Sequence, residues 1–386
     1  MFFEILRFEC RYQLRSPLFL VVAGLWFLIA FLISGTDSVS VGGIGPNINL
    51  NANFAILQIQ YTLTILGLFP AVAFVAGAIT RDYEAKTAQI LFATGVPENS
   101  YFFGRFLGGA LFAALVGMAG LLGTLVGTFM PWLDAERIGP FTLAPYLFSV
   151  WAIIVPNLLI ISALFFAVAA LTRSMMAAYV AALGFFIAYI VVGSVSDQET
   201  IGVMALFDPF GLTAFGEITR YWTVFDRNFG MPEVTSTLLY NRLIWAGISG
   251  AVLLLAVWRH RFNLAPAPRL RLRRKPRPLK PAPAAHSERL ATAPVEGLDP
   301  ARFLSQLRMD VRGMTRSIPF YVLLAFGMLQ VVGSAIAATS QIFGTPVYPL
   351  TGTLLAFVGG SFTLAVLIIV IYYSGELVHR ERQAMV

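Results

Sequence analysis

Charge, cysteine and histidine are all scarce in this chain, and each scarcity excludes something. Asp, Glu, Lys and Arg together make up 12% of the 386 residues, against about 25% in a soluble domain. With 58% hydrophobic residues and a mean hydropathy of +0.75, the composition is that of a polytopic membrane protein. One cysteine, Cys10, rules out a disulfide within a single chain, so cysteine says nothing about an oxidising compartment. The three histidines, His260, His286 and His379, are scattered in basic segments. No H-E-x-x-H pattern and no His/Cys/carboxylate cluster at ligand spacing is found, so no metal site is expected. No G-x-x-x-x-G-K-[ST] occurs either, which excludes nucleotide binding through a P-loop. If ATP drives this protein, another polypeptide supplies the ATPase. The stretch before the first apolar run is too long for a signal peptide, contains Glu4 and Glu9, and is followed by no A-x-A-like cleavage site.

Long apolar runs are what the chain does have. Runs of about 20 residues mark about eight membrane helices: 18–34, 54–79, 106–130, 146–171, 175–194, 241–258, 319–340 and 352–374. Lys and Arg stay on the cytoplasmic side. A cytoplasmic N-terminus puts Arg7, Arg11, Arg15, Arg81, Lys86, Arg105, Arg173, the whole of 259–316, Arg380 and Arg382 inside. Only Arg137, Arg220, Arg227 and Arg242 then fall outside, among the acids Asp37, Asp134, Glu136, Asp197, Glu199, Asp208, Glu217, Asp226 and Glu233. No ionisable residue is expected at the middle of a span, which argues against an ion-coupled carrier. Gln58, Gln60 and Asn157 read as helix–helix hydrogen bonders, and the glycines at 104, 108, 109, 117, 120 and 123 as sites of close helix packing.

One segment occurs twice. FEILRFECRYQLRSP near the N-terminus and LSQLRMDVRGMTRSIP near the C-terminus both lead into an apolar run. A constant offset lays Arg7, Arg11 and Arg15 on Arg308, Arg312 and Arg316, Glu9 on Asp310, and Ser16 on Ser317. Each arginine triplet has i, i+4, i+8 spacing, along one side of a helix. A basic amphipathic helix of this kind lies on the cytoplasmic membrane surface before the chain turns in.

Between the second and third spans the chain reads ITRDYEAKTAQILFATGVPENSYFFGRFLGG. Arg81, Asp82, Glu84 and Lys86 open a helix at the membrane edge, and Gly95 and Pro97 end it. After the eighth span, Arg380-Glu381 can be laid on Arg81-Asp82. The arrangement resembles the permease subunits of type-2 ABC transporters. Arg81-Asp82-Tyr83-Glu84, then Thr87, Leu91, Thr94 and Pro97, is similar to that family's loop pattern. The resemblance implies an all-α polytopic membrane protein with amphipathic elbow helices, one six-span unit and the start of a second. It divides the chain into 1–258 (elbow 1–17), a basic Pro-rich linker 259–302, and 303–386. It implies a coupling role toward a separate ABC ATPase subunit for Arg81, Asp82, Glu84, Thr87, Pro97, Arg380 and Glu381. It implies surface anchoring for Arg7, Arg11, Arg15, Arg308, Arg312 and Arg316. It also implies export, a location in the inner (plasma) membrane, and a second permease unit or homodimer completing the path. No cofactor is expected in this chain; ATP and Mg would sit on the partner.

The outer segment LFDPFGLTAFGEITRYW and the stretch GELVHRER are similar to bacterial permeases fused to a C-terminal zinc aminopeptidase. Against that pattern the chain is expected to be truncated, and no peptidase activity carries over because no zinc residues are present. In the outer segment, Asp208-Pro209-Phe210-Gly211 breaks helical structure. Glu217, Arg220, Tyr221, Trp222 and Trp245 make an aromatic, mixed-charge region that reads as an outer gate or substrate exit, or as an interfacial aromatic belt with re-entrant helices. The linker RHRFNLAPAPRLRLRRKPRPLKPAPAAH cannot bury a core and is expected to contact anionic lipids. No aromatic residues interleave the basic run from Arg269 to Lys280 for base stacking, so no nucleic acid is expected. The alternative to a permease is a non-transporting membrane anchor for a partner or a missing peptidase.

Overall fold

The computed structural model describes residues 1–36, 47–85, 87–195, 201–260 and 300–315, together with Phe320, Leu324 and Met328. Among these residues the structure is all α with no strand. The chain divides into two units, Met1–Ala267 and Pro268–Val386.

The first unit starts with α1 (Phe2–Arg15), which stops where Pro17 follows Ser16. A residue before proline is driven out of the helical region, and Ser16 is extended at ψ 123°. Pro17 then begins α2 (Pro17–Ser34), where its missing N–H costs nothing. The expected turn from a surface helix into a span is thus made by one dipeptide. α2 is apolar all round, and Leu18, Leu20, Val21, Leu25, Leu28 and Leu32 are left exposed, as suits a lipid-facing helix.

The second expected span is two helices rather than one. α3 (Asn53–Leu66) and α4 (Leu68–Glu84) meet at a 45° bend. Pro70 has no N–H for the carbonyl of Leu66, which breaks the ladder at Gly67. After the short α5 (Ala88–Ala93), α6 (Glu98–Gly127) runs 30 residues and begins eight residues before the expected 106. α7 (Ala144–Phe148) continues through a π-helical segment, Ser149–Ile154, into α8 (Val155–Thr172). Pro156 lies just past that segment and cannot bond the carbonyl of Ala152, so the widened turn has an identifiable cause. Arg173 then takes a left-handed cap, φ 52°, and turns the chain into α9 (Met175–Val195). Three short helices follow: α10 (Ile201–Phe207), α11 (Leu212–Ile218) and α12 (Val224–Phe229). α13 (Ser236–Arg259) closes the unit.

α2, α6, the stretch Ala144–Thr172 and α13 are long and apolar enough to cross a membrane; the bent α3–α4 pair makes a fifth, and Met175–Ile190 is a shorter apolar helix. These six segments fall on the first six expected spans. The last two, 319–340 and 352–374, lie outside the described residues apart from Phe320, Leu324 and Met328. The core lies between α4, α6, α8 and α9, with Val72, Val75, Phe102, Phe106, Ile161 and Phe166 at its centre. Glycines set the helix spacing: a methyl on Gly123 would lie 2.2 Å from the carbonyl oxygen of Phe27 on α2. Gln60 donates to Thr124 at 2.9 Å and Asn157 to Thr64 at 3.1 Å, which are the interhelical bonds expected of them. In the second unit, α14 (Pro300–Met314) repeats the amphipathic pattern of α1.

Candidate functional site

The end of the first unit where α1, α4 and α6 meet carries a buried cluster of four charges. α4 delivers Arg81 and Asp82 from its last turn, α6 delivers Tyr101 and Arg105 from its first two turns, and α1 delivers Glu9. Glu9 is 0% exposed. It accepts from Arg81 Nη2 at 2.6 Å, from Arg105 Nη1, and from Gln13 Nε2 at 2.9 Å. Arg105 Nη2 reaches Asp82 Oδ2 at 2.5 Å, and Tyr101 donates to the same oxygen at 2.8 Å. Two carboxylates face two guanidiniums, so the cluster is neutral as a whole. A buried charge is tolerable only when it is paired and hydrogen-bonded, and both carboxylates satisfy that condition. The Arg81 guanidinium lies 3.6 Å from the centroid of Tyr12, and that of Arg105 5.1 Å from Phe8, so aromatic faces of α1 cover both cations.

Local sequence explains why the three helices meet here. A methyl on Gly104 would lie 2.8 Å from Ile5 Cγ2, and one on Gly108 2.5 Å from Glu9 Cγ. The Gly104/Gly108 pair therefore forms the trough in α6 that receives the Ile5–Glu9–Gln13 side of α1. That side runs parallel to the arginine side, so α1 presents Arg7, Arg11 and Arg15, all exposed, away from the trough.

α5 is fastened to the cluster through rings. Phe92 lies 5.9 Å from Tyr83 and 5.9 Å from Tyr101, both edge-on. Thr87 N bonds the carbonyl of Asp82 at 3.0 Å and holds the turn into α5. At the far end Gly95, φ +72°, reverses the chain, and Pro97 caps α6. The outward side of α5 stays uncovered: Ile90 is 72% exposed. Two further segments join from the side. Arg173 stacks over Tyr83 at 5.2 Å. His260, the cap of α13, packs 5.5 Å from Phe102 and 6.5 Å from Tyr101. Burial, and then the nearby Arg173, holds the His260 pKa below its ordinary value.

A family model described as "ABC-2 family transporter protein" matches residues 4–241. The chain belongs to that family. No curated protein matches it. In this ABC-2 permease the matched stretch includes most of α1, the α4–α6 loop and the short helices α10–α12. The family is one of membrane subunits for transport, not itself catalytic, and implies an ATPase partner in general.

The expected coupling residues divide into two groups. Arg81 and Asp82 face inward, in the buried cluster. Glu84, Thr87 and Pro97 are exposed around α5. Lys86, Arg316, Arg380 and Glu381 lie outside the described residues, and Arg308 and Arg312 are exposed on α14. Glu9, Tyr101 and Arg105 are the members that sequence reasoning did not assign to the site. The available signal was Glu9 itself, an acid on the apolar side of a basic helix.

At the opposite end of the unit, the expected Asp208–Gly211 turn leads into α11. The Asp208 carboxylate accepts from Phe210 N at 2.8 Å and from Thr213 N at 2.6 Å, starting α11. Asn241 Nδ2 donates to the carbonyl of Asp208 at 2.7 Å and to that of Ala205 at 2.8 Å. Arg242 spans the gap between Phe210 O (2.9 Å) and Asn157 Oδ1 (2.5 Å). Gly211, φ +75°, leaves room for that guanidinium, since a methyl there would lie 2.6 Å from Nη2. Arg242 thus reaches into the bundle rather than out from the loop.

Proposed function

We propose that this permease is driven by a separate ATPase subunit docking on α5, and that the buried Glu9–Arg81–Arg105–Asp82 cluster carries the stroke into the membrane. The observation behind the proposal is the continuity of contact from the exposed Ile90 inward. Phe92 on α5 touches Tyr83 and Tyr101, Tyr101 bonds Asp82, Asp82 bonds Arg105, and Arg105 bonds Glu9 on α1. Displacing α5 therefore moves the ends of α4 and α6 and the elbow helix as one body. Close-packed contacts transmit displacement because they do not deform continuously. The apolar side chain of Ile90 and the charge of Glu84 supply a docking face with the polarity of a transient interface.

ATP and Mg sit on the partner, and the transport direction is export, as the family resemblance implies. The N-terminus is cytoplasmic, in the inner (plasma) membrane, with the basic linker 259–302 against anionic lipid. A second permease unit, from 303–386 or from a second copy, completes the translocation path. The chain is of the kind found fused to an aminopeptidase. The test substitutes the exposed residues: Glu84→Lys and Ile90→Asp should lower transport-coupled ATP hydrolysis and leave membrane insertion unchanged. Undiminished coupling in both variants would overturn the docking site.

A further inference from the structure

The junction of α1 and α2 holds a groove of about 340 Å³, lined by Phe8, Arg11, Tyr12, Arg15, Ser16 and Pro17. Its two arginines are one helical turn apart and face the same opening. Among the described residues neither forms an ion pair, whereas Arg81 and Arg105 on the neighbouring helices both do. Tyr12 is held as the rear wall by the Arg81 guanidinium stacked on it. Below the groove, Leu18, Val21 and Leu25 form an exposed apolar track down α2 at i, i+3, i+7, with exposures of 47%, 67% and 47%.

We propose that this groove seats the phosphate of one anionic phospholipid of the cytoplasmic leaflet, with an acyl chain along Leu18–Val21–Leu25. The inference rests on the cytoplasmic placement of α1 given above. Guanidinium forks match phosphate oxygens in pairs of hydrogen bonds, and two free forks on one wall can hold a single phosphate from two sides. The volume falls within the range of small-ligand sites, roughly 300–1,000 Å³. A soluble phosphate would use the arginines and leave the apolar track empty; a lipid uses both. The second surface helix supplies an internal contrast. Under the offset that lays Arg7 and Arg11 on Arg308 and Arg312, Phe8 becomes Met309 and Tyr12 becomes Gly313. α14 has the charge without the aromatic wall, so the site belongs to α1.

The test is native mass spectrometry of the full chain in detergent, after incubation with dioleoyl-phosphatidylglycerol or with dioleoyl-phosphatidylcholine. Each basic residue near a lipid surface adds about 1 kcal/mol of attraction. Arg11→Gln/Arg15→Gln should therefore weaken the one most tightly held phosphatidylglycerol about 30-fold, whereas Arg308→Gln/Arg312→Gln, which remove only general attraction, should leave that one lipid as tightly held as in the parent. Tyr12→Ala should lower retention, and Tyr12→Phe should not. Equal loss in the two double variants would overturn the site in favour of general electrostatics. Displacement of the lipid by inorganic phosphate would overturn it in favour of a soluble anion. Protease access to an N-terminal tag in inside-out vesicles reads the orientation separately, so a failure there is distinct from a failure of the lipid site.

Discussion

Replacing Glu9 by Gln tests the buried cluster most sharply. Gln is nearly the same size, so packing in the Gly104/Gly108 trough is preserved and the loss is one of charge. The cluster then holds two guanidiniums against Asp82 alone. Arg81 is 22% exposed and can recover part of its hydration; Arg105 is 5% exposed and cannot. Removing one partner of a buried pair costs about 3–5 kcal/mol. Gln still accepts one hydrogen bond, which places Glu9→Gln at the low end, about 3 kcal/mol. For a unit of this size each kcal/mol moves the melting temperature by about 2–4 °C, so a fall of roughly 6–12 °C is expected in detergent or nanodisc melts. Adding Arg105→Gln restores neutrality and should recover part of the loss, with a coupling of about 1–3 kcal/mol in the double-mutant cycle. A Glu9→Gln melt within about 2 °C of the parent, or strict additivity with Arg105→Gln, would refute the reasoning.

Two other perturbations probe the same corner. Gly108→Ala should cost about 1–3 kcal/mol by driving α1 out of its trough, while Gly184→Ala, where nothing lies within 4 Å of the added methyl, should cost far less in the same melts. His260 is favoured in its neutral form by burial and Arg173. Its depressed pKa gives stability that is present above the unfolded value of about 6.5 and lost as pH falls. His260→Phe should therefore gain in melting temperature relative to the parent as pH drops from about 7.5 to about 5.5, and a pH-independent difference would contradict the assignment.

Much of the architecture was legible because it depends on composition and period. Apolar runs located the first six expected spans as apolar helices, and Ser16-Pro17 marked the elbow. The loop from Arg81 to Pro97 stood out because charge, glycine and proline punctuate it. Helix breaks within runs were harder to read. Pro70 and Pro156 sit inside apolar stretches, and only the structure shows that one gives a bend at Gly67 and the other follows a π-segment. The site was half legible. Arg81 and Asp82 were recognised, but as residues pointing at a partner. Their inward direction depends on Glu9, and an acid on a basic surface helix reads as solvated, as Glu4 is, until its neighbour is known. Gly104 and Gly108 were read as packing positions, yet nothing in the sequence says which helix they receive. The same limit applies to Arg242. Counted by position it belongs to the outer loop; its guanidinium belongs to the bundle because Asn157, 85 residues away, offers it an acceptor.

The most direct test of the central claim is affinity purification in mild detergent of the natively expressed, N-terminally tagged protein, with bound proteins identified by mass spectrometry. The account predicts a co-purifying P-loop ATPase, lost when Glu84→Lys and Ile90→Asp are combined and retained when Arg308→Gln and Arg312→Gln are. A parent protein free of any ATPase, under conditions that preserve other membrane complexes, would contradict it.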